Sequence, residues 1–126
     1  MFIIKKLGVS NFNINTVTDM KNMFSECSSL KELNLSNFGK NNIINMRKMF
    51  SLCSSLEEIN LSNLNLDTVK DMSYIFSECS SLKILKFPDF IPNNKINMNG
   101  MFYKCSEHLK MKMKSQIKNI RAEAFY

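Results

Sequence analysis

Apolar and polar positions recur along this chain with a period of 26 residues. Cys27, Cys53, Cys79 and Cys105 stand one period apart, as do Met20, Met46, Met72 and Met98, and again Phe24, Phe50, Phe76 and Phe102. Beside the phenylalanines run Met23, Met49, Ile75 and Met101. Ser28-Ser29-Leu30 returns as Ser54-Ser55-Leu56 and Ser80-Ser81-Leu82, followed by the columns Leu33/Ile59/Leu85, Leu35/Leu61/Phe87 and Phe38/Leu64/Phe90. So many columns in one register mark a repeat array, in which a single unit cannot bury its apolar stripe and stacking creates a shared core.

Each unit carries two patterns. Leu30-x-x-Leu33-x-Leu35 ends in strict alternation and predicts a short strand with one buried face. Met20-x-x-Met23-Phe24-x-x-Cys27 has the i, i+3, i+4, i+7 spacing of one helix face. Asp19, Asn45, Asp71 and Asn97 precede it, each with a short side-chain oxygen able to cap a helix N-terminus. One period back lie Ile4, Leu7 and Val9 on the strand columns, with Phe12 after them; one period forward lie His108, Met111 and Met113. The expectation is a single α/β domain spanning 1–126, a solenoid with repeats over about 4–113 and a cap over 114–126. It would hold about five short parallel strands, four short repeat helices and a terminal capping helix. Ser115 would cap that last helix, and Ile117, Ile120, Ala124 and Phe125 would form its apolar side. Strands stack at roughly 4.8 Å and helices at about 8–10 Å, so strands should line the concave surface and helices the convex one. Strand one begins almost at Met1 and would leave an open edge for self-association.

The alternation assigns the outward side chains of the strand face. With Leu33 and Leu35 inward, Glu32, Asn34 and Ser36 point out. Their equivalents are Lys6, Gly8 and Ser10; Glu58, Asn60 and Ser62; Ile84, Lys86 and Pro88; and Lys110, Lys112 and Lys114. This surface is acidic and amide-rich in the middle and basic toward the C-terminus. Its candidate partner-binding residues are Glu32, Asn34, Glu58, Asn60, Ile84, Lys86, Lys110 and Lys112.

Charge agrees with a graded surface rather than a uniform one. The net charge is +6, yet residues 104–126 hold six cations against Glu107 and Glu123, leaving +2 for the rest of the chain. A globally basic nucleic-acid binder is therefore not indicated. No apolar run approaches the roughly 18 residues of a membrane span. The opening Met-Phe-Ile-Ile-Lys-Lys-Leu-Gly lacks the order of a signal peptide, so the expectation is an intracellular protein or a piece of a longer secreted chain.

The stretch VTDMKNMFSECSSLKELNLSNF, residues 17–38, resembles the repeat of the BspA-like leucine-rich-repeat surface proteins of bacteria and protists. The resemblance covers nearly all of residues 4–113 and implies a right-handed leucine-rich-repeat solenoid. For some members it also implies cell-surface attachment or host-protein binding. The fourth unit departs from the pattern: Pro88 and Pro92 interrupt its loop, and His108 replaces a column leucine. Lys95 stands where the earlier units have Val17, Ile43 and Val69, with Ile96 as substitute filler. Such changes suit a terminal repeat.

Candidate chemistry is sparse. The cysteines are 26 residues apart rather than in the close pairs of zinc sites. Side by side on successive coils, they read as buried structural thiols ahead of disulfides or metal ligands. Met and Phe columns read as core. His108 is the sole histidine, no motif sets a nucleophile beside it, and three glycines form no phosphate loop. Asn34-Leu35-Ser36 and Asn60-Leu61-Ser62 match the glycosylation sequon and read first as repeat. The basic C-terminal segment lacks aromatic residues interleaved for base stacking. No enzyme, cofactor or metal is expected. The expected function is a module that binds a protein partner through the concave strand face, with a structural segment of a larger array, joined at strand one, as the alternative.

Overall fold

A computed structural model of the chain describes residues 6–8, 16–36, 38 and 42–126. Four strands, β1 (Lys6–Gly8), β2 (Glu32–Asn34), β3 (Glu58–Asn60) and β4 (Ile84–Lys86), form one parallel sheet in sequence order. The 26-residue period sets the register: Glu32 lies opposite Glu58 and Glu58 opposite Ile84, and Leu33, Ile59 and Leu85 align likewise. Each strand spans only three residues, with its central side chain buried in β2, β3 and β4. Asn34 and Asn60 end their strands, because each Oδ1 accepts a hydrogen bond from the N–H two residues on, at Ser36 (2.9 Å) and Ser62 (3.1 Å). Ile4, Val9 and Ser10, expected on strand one, and Phe12, expected after it, lie outside the described residues.

The expected fold requires correction at three points. First, the sheet has four strands among the described residues, not five. His108, Met111 and Met113 belong instead to the helix α1 (Glu107–Gln116). Ser106 caps it, its side chain accepting from Leu109 N, with Glu107 in the first turn and Lys114 in the last, which suits the helix dipole. Leu109, Met113 and Ile117, spaced by four, are buried, and Met111 faces solvent. The Met-Lys-Met-Lys alternation of residues 111–114 imitated a strand. Ser115 lies in the last turn, where its hydroxyl donates to Lys112 O, so it caps nothing.

Second, no repeat helices form among the described residues. Residues 21–26, 47–52, 73–78 and 99–104 are chains of turns. Alternate N–H groups bond forward to the next coil: Met20 to Asn45 O, Asn22 to Arg47 O, Phe24 to Met49 O and Glu26 to Ser51 O, at 2.8–3.0 Å. The intervening Met23, Ser25 and Cys27 donate three residues back, to Met20, Asn22 and Phe24. A left-handed residue at every fourth position makes this possible: Asn22 and Glu26, Lys48 and Leu52, Tyr74 and Glu78, Gly100 and Lys104. Asp19, Asn45, Asp71 and Asn97 use the capping chemistry the sequence suggested, but on a turn. Each side-chain oxygen accepts the N–H two residues on, at 2.8–3.1 Å, while their backbones bridge to one another across the coils.

Third, the curvature that a helix layer would impose on the sheet has no cause in these coils. The turn side is stitched coil to coil like the strand side, and successive rings of Phe24, Phe50, Phe76 and Phe102 stack at 5.5–5.8 Å. With no helix layer of 8–10 Å spacing among the described residues, the two sides no longer differ enough to force a concave sheet. The leucine-rich-repeat solenoid expected from the sequence is thus replaced by coils paired directly through backbone bridges on both sides.

Between the two sides lies the core. Met46, Met49, Phe50, Leu56, Ile59, Leu61, Met72, Ile75 and Phe76 are fully buried. At the C-terminal end a 3-10 turn, Ala122–Phe125, imitates a further coil. Glu123 O accepts from Gly100 N and Ala124 O from Phe102 N, at 2.8 and 2.7 Å, and the Phe125 ring stacks on Phe102 at 5.7 Å. In the fourth unit Ile96 is buried and Lys95 exposed, so the apolar slot has moved one residue along.

Candidate interaction surface

The parallel register converts single outward residues into rows. One row runs Glu32, Glu58, Ile84; the next runs Asn34, Asn60, Lys86. Glu32, Asn34, Ile84 and Lys86 are exposed, and Glu58 and Asn60 half-buried. Beside them Lys31, Glu57 and Lys83 are also exposed. Six of the eight proposed contact residues therefore share one face. Lys110 and Lys112 do not join them on the sheet, because they sit on α1. Lys110 is held near Glu107, 3.2 Å away, and Lys112 is exposed.

The asparagines on this face have divided roles. Asn60 Oδ1 accepts from both the N–H and the hydroxyl of Ser62, and Asn34 Oδ1 accepts from Ser36 N. Their oxygens hold the strand ends, so the amide N–H groups are what they can offer a partner. Glu32 and Glu58 lie opposite one another on neighbouring strands. Ile84, 45% exposed, ends the same row with an apolar contact. The face can thus give the Glu58 carboxylate to a cation, amide donors to a backbone, and an apolar and cationic end to a complementary surface.

The turn side offers different chemistry. Arg47 Nη1 donates to Ser73 Oγ at 2.7 Å, Ser73 Oγ donates to Asp71 Oδ1 at 2.6 Å, and the guanidinium lies over the Tyr74 ring. The Tyr74 ring packs on Gly100 of the next coil, where a Cβ would collide with it. Ser51 and Ser77 share a buried hydroxyl contact of 2.7 Å. These groups satisfy one another and read as scaffolding.

The cysteines follow their column. Cys53, Cys79 and Cys105 are buried, and each thiol donates to the carbonyl of a phenylalanine on the preceding coil, Phe24, Phe50 and Phe76, at 3.1 Å. Burial pushes the Cys53 and Cys105 thiols up to about 12, and Cys79 higher still. Such thiols are poor nucleophiles at neutral pH. Cys27 is exposed. His108 is exposed on α1. Among the described residues no group of three or more His, Cys, Asp or Glu side chains is placed to hold a metal ion. No helix among them is long and apolar enough to cross a membrane.

What sequence reasoning missed is a pocket on the loop side, between residues 67–70 and 93–96 with Ile44 at its mouth, of about 620 Å³. The signals that could have found it were the departures of the fourth unit: Pro92, Lys95 and the shifted Ile96.

A family model described as "Mycoplasma protein of unknown function, DUF285" matches residues 2–119. No curated protein and no solved structure matches the chain.

Proposed function

The chain belongs to the DUF285 family, and we propose that it is a non-catalytic module that binds a protein partner through the outer face of its sheet. The observation that carries this reading is the alignment of Glu32, Glu58 and Ile84 beside Asn34, Asn60 and Lys86 in adjacent rows. The rows stand on a hydrogen-bonded frame, so binding would order little backbone and leave more of the contact energy as affinity. The Glu58 carboxylate, half-buried in the middle of the row, suits a partner cation. The likeness of the repeat to that of BspA-like surface proteins is consistent with an adhesive role.

The test is charge reversal on opposite sides. Glu58→Lys combined with Lys86→Glu should weaken a crosslinked and identified partner roughly tenfold or more. Lys48→Glu, on the turn side, should leave it unchanged. A partner indifferent to both variants refutes the strand face as its docking surface.

A second reading, a segment of a larger assembly joined at the N-terminal edge, has one observation of its own. Asn45 O, Arg47 O, Met49 O and Ser51 O each accept an N–H from the coil before, whereas among the described residues Asp19 O, Lys21 O, Met23 O and Ser25 O accept none. Concentration-dependent association in sedimentation would support it; a monomer at every concentration would remove it.

A further inference from the structure

The pocket on the loop side lies apart from the rows of the strand face and arises from a local failure of coil pairing. In the third unit, Lys70 N and Asp71 N both donate to Ile44 O, at 2.8 and 3.4 Å. In the fourth, only Asn97 N reaches Lys70 O, at 3.0 Å, while Ile96 N turns back to Asn93 Oδ1 at 3.2 Å. Lys95 N takes the same oxygen at 2.8 Å. Arg121, reaching in from the C-terminal cap, donates to Asn93 O and Ile96 O and ties the 93–96 loop in that shape. The opening is therefore built into the fold, held by bonds on both walls.

Its lining combines an apolar interior with donors. Val69 and Ile96 are buried, and Ile44 is 43% exposed at the mouth. Lys70, Lys95 and Asp67 on the walls are exposed, giving two cations against one carboxylate. Asn93 has spent its oxygen on the loop, which leaves its amide N–H groups to donate. Thr68 has its hydroxyl on Ile43 O. Donors thus outnumber acceptors around an aliphatic floor, and 620 Å³ falls within the usual range for small-ligand sites.

We infer that this pocket binds a carboxylate carried on a short aliphatic chain, with Lys70, Lys95 and the Asn93 amide on the carboxylate and Ile44, Val69 and Ile96 around the chain. Asp67 disfavours a dianion at the same mouth and limits the site to a single negative charge. Two sources share this chemistry, a free aliphatic acid and the C-terminal leucine of a peptide.

The whole 14.6 kDa chain is suited to nuclear magnetic resonance titration, and the probes are hexanoate, 1-hexanol, Gly-Gly-Leu and its C-terminal amide. Hexanoate or free Gly-Gly-Leu should shift the resonances of Ile44, Val69 and Ile96 at concentrations below about 10 mM. The uncharged counterpart of each should bind at least about threefold more weakly. Lys70→Gln and Lys95→Gln should each weaken the anion by roughly two- to fivefold, with far-ultraviolet circular dichroism confirming that both variants fold. Binding by hexanoate alone identifies a free acid, and binding by the peptide alone identifies a chain terminus; either supports the site. Equal binding of hexanol, indifference to both lysines, or no shift at those three residues overturns it.

Discussion

Glu78 occupies left-handed backbone space, φ 60°, in the third turn segment, and its N–H donates to Tyr103 O at 2.7 Å. A non-glycine residue in that conformation costs roughly 1–2 kcal/mol. Comparing Glu78→Gly with Glu78→Ala removes the same side chain and varies only the backbone preference. Glycine relieves the strain but has more freedom to lose on folding, an offset of about 0.5–1 kcal/mol. The Gly variant should therefore be the more stable of the two by about 0.5–1 kcal/mol. In the helix that the sequence pattern suggested, the order would invert, with Ala ahead by about 1 kcal/mol. The assay is thermal unfolding followed by far-ultraviolet circular dichroism, since the chain has no Trp. For a domain of this size 1 kcal/mol corresponds to roughly 3–5 °C, so the two geometries differ in sign by a readable margin. Glu26, at φ 65° and exposed in the first turn segment, repeats the comparison. An alanine variant more stable than its glycine counterpart at both sites would refute the turn geometry and the account of coil pairing built on it.

Two further outcomes follow from the packing. Gly100→Ala should destabilise by about 2 kcal/mol or more, because it adds a Cβ against the Tyr74 ring at a φ of 62°; Tyr74→Ala in the same chain should restore the steric share of that loss in a double-mutant cycle. The buried thiols should make the fold sensitive to alkali. Burial raises Cys53 and Cys105 to about 12 and Cys79 further, so their contribution is complete below the ordinary thiol value of about 8.5 and fades as pH climbs toward 12. Urea midpoints should fall across that interval, and in native protein at pH 8 only Cys27 should react promptly with a disulfide reagent. Equal reactivity of all four would refute their burial.

Which parts of this were readable beforehand depends on how local the deciding interaction is. The i, i+3, i+4, i+7 spacing of Met20, Met23, Phe24 and Cys27 is satisfied equally by a helix and by turns with a left-handed residue every fourth position. Glycine would have announced those turns, yet the positions hold Asn22, Glu26, Lys48, Leu52, Tyr74, Glu78 and Lys104, with Gly100 the exception. The strand-face residues Glu32, Asn34, Glu58, Asn60, Ile84 and Lys86 were legible because alternation and a fixed period specify both face and register. Lys110 and Lys112 were misplaced because Ser106 and the buried Leu109 and Met113 favour a helix over a continuation of the alternation.

The sequence by itself determined the period, the stacking order of the strands and the side chains that turn inward, since each depends only on the repetition of apolar positions at equal intervals. Tertiary structure decided the form of the turn side, the turns that stand where helices were expected among the described residues, and the opening beside Lys70 and Lys95. All three depend on where a backbone N–H finds its acceptor: within its own coil, or on a neighbouring coil far away in the chain. That choice is settled by what the next coil presents, which no single repeat contains.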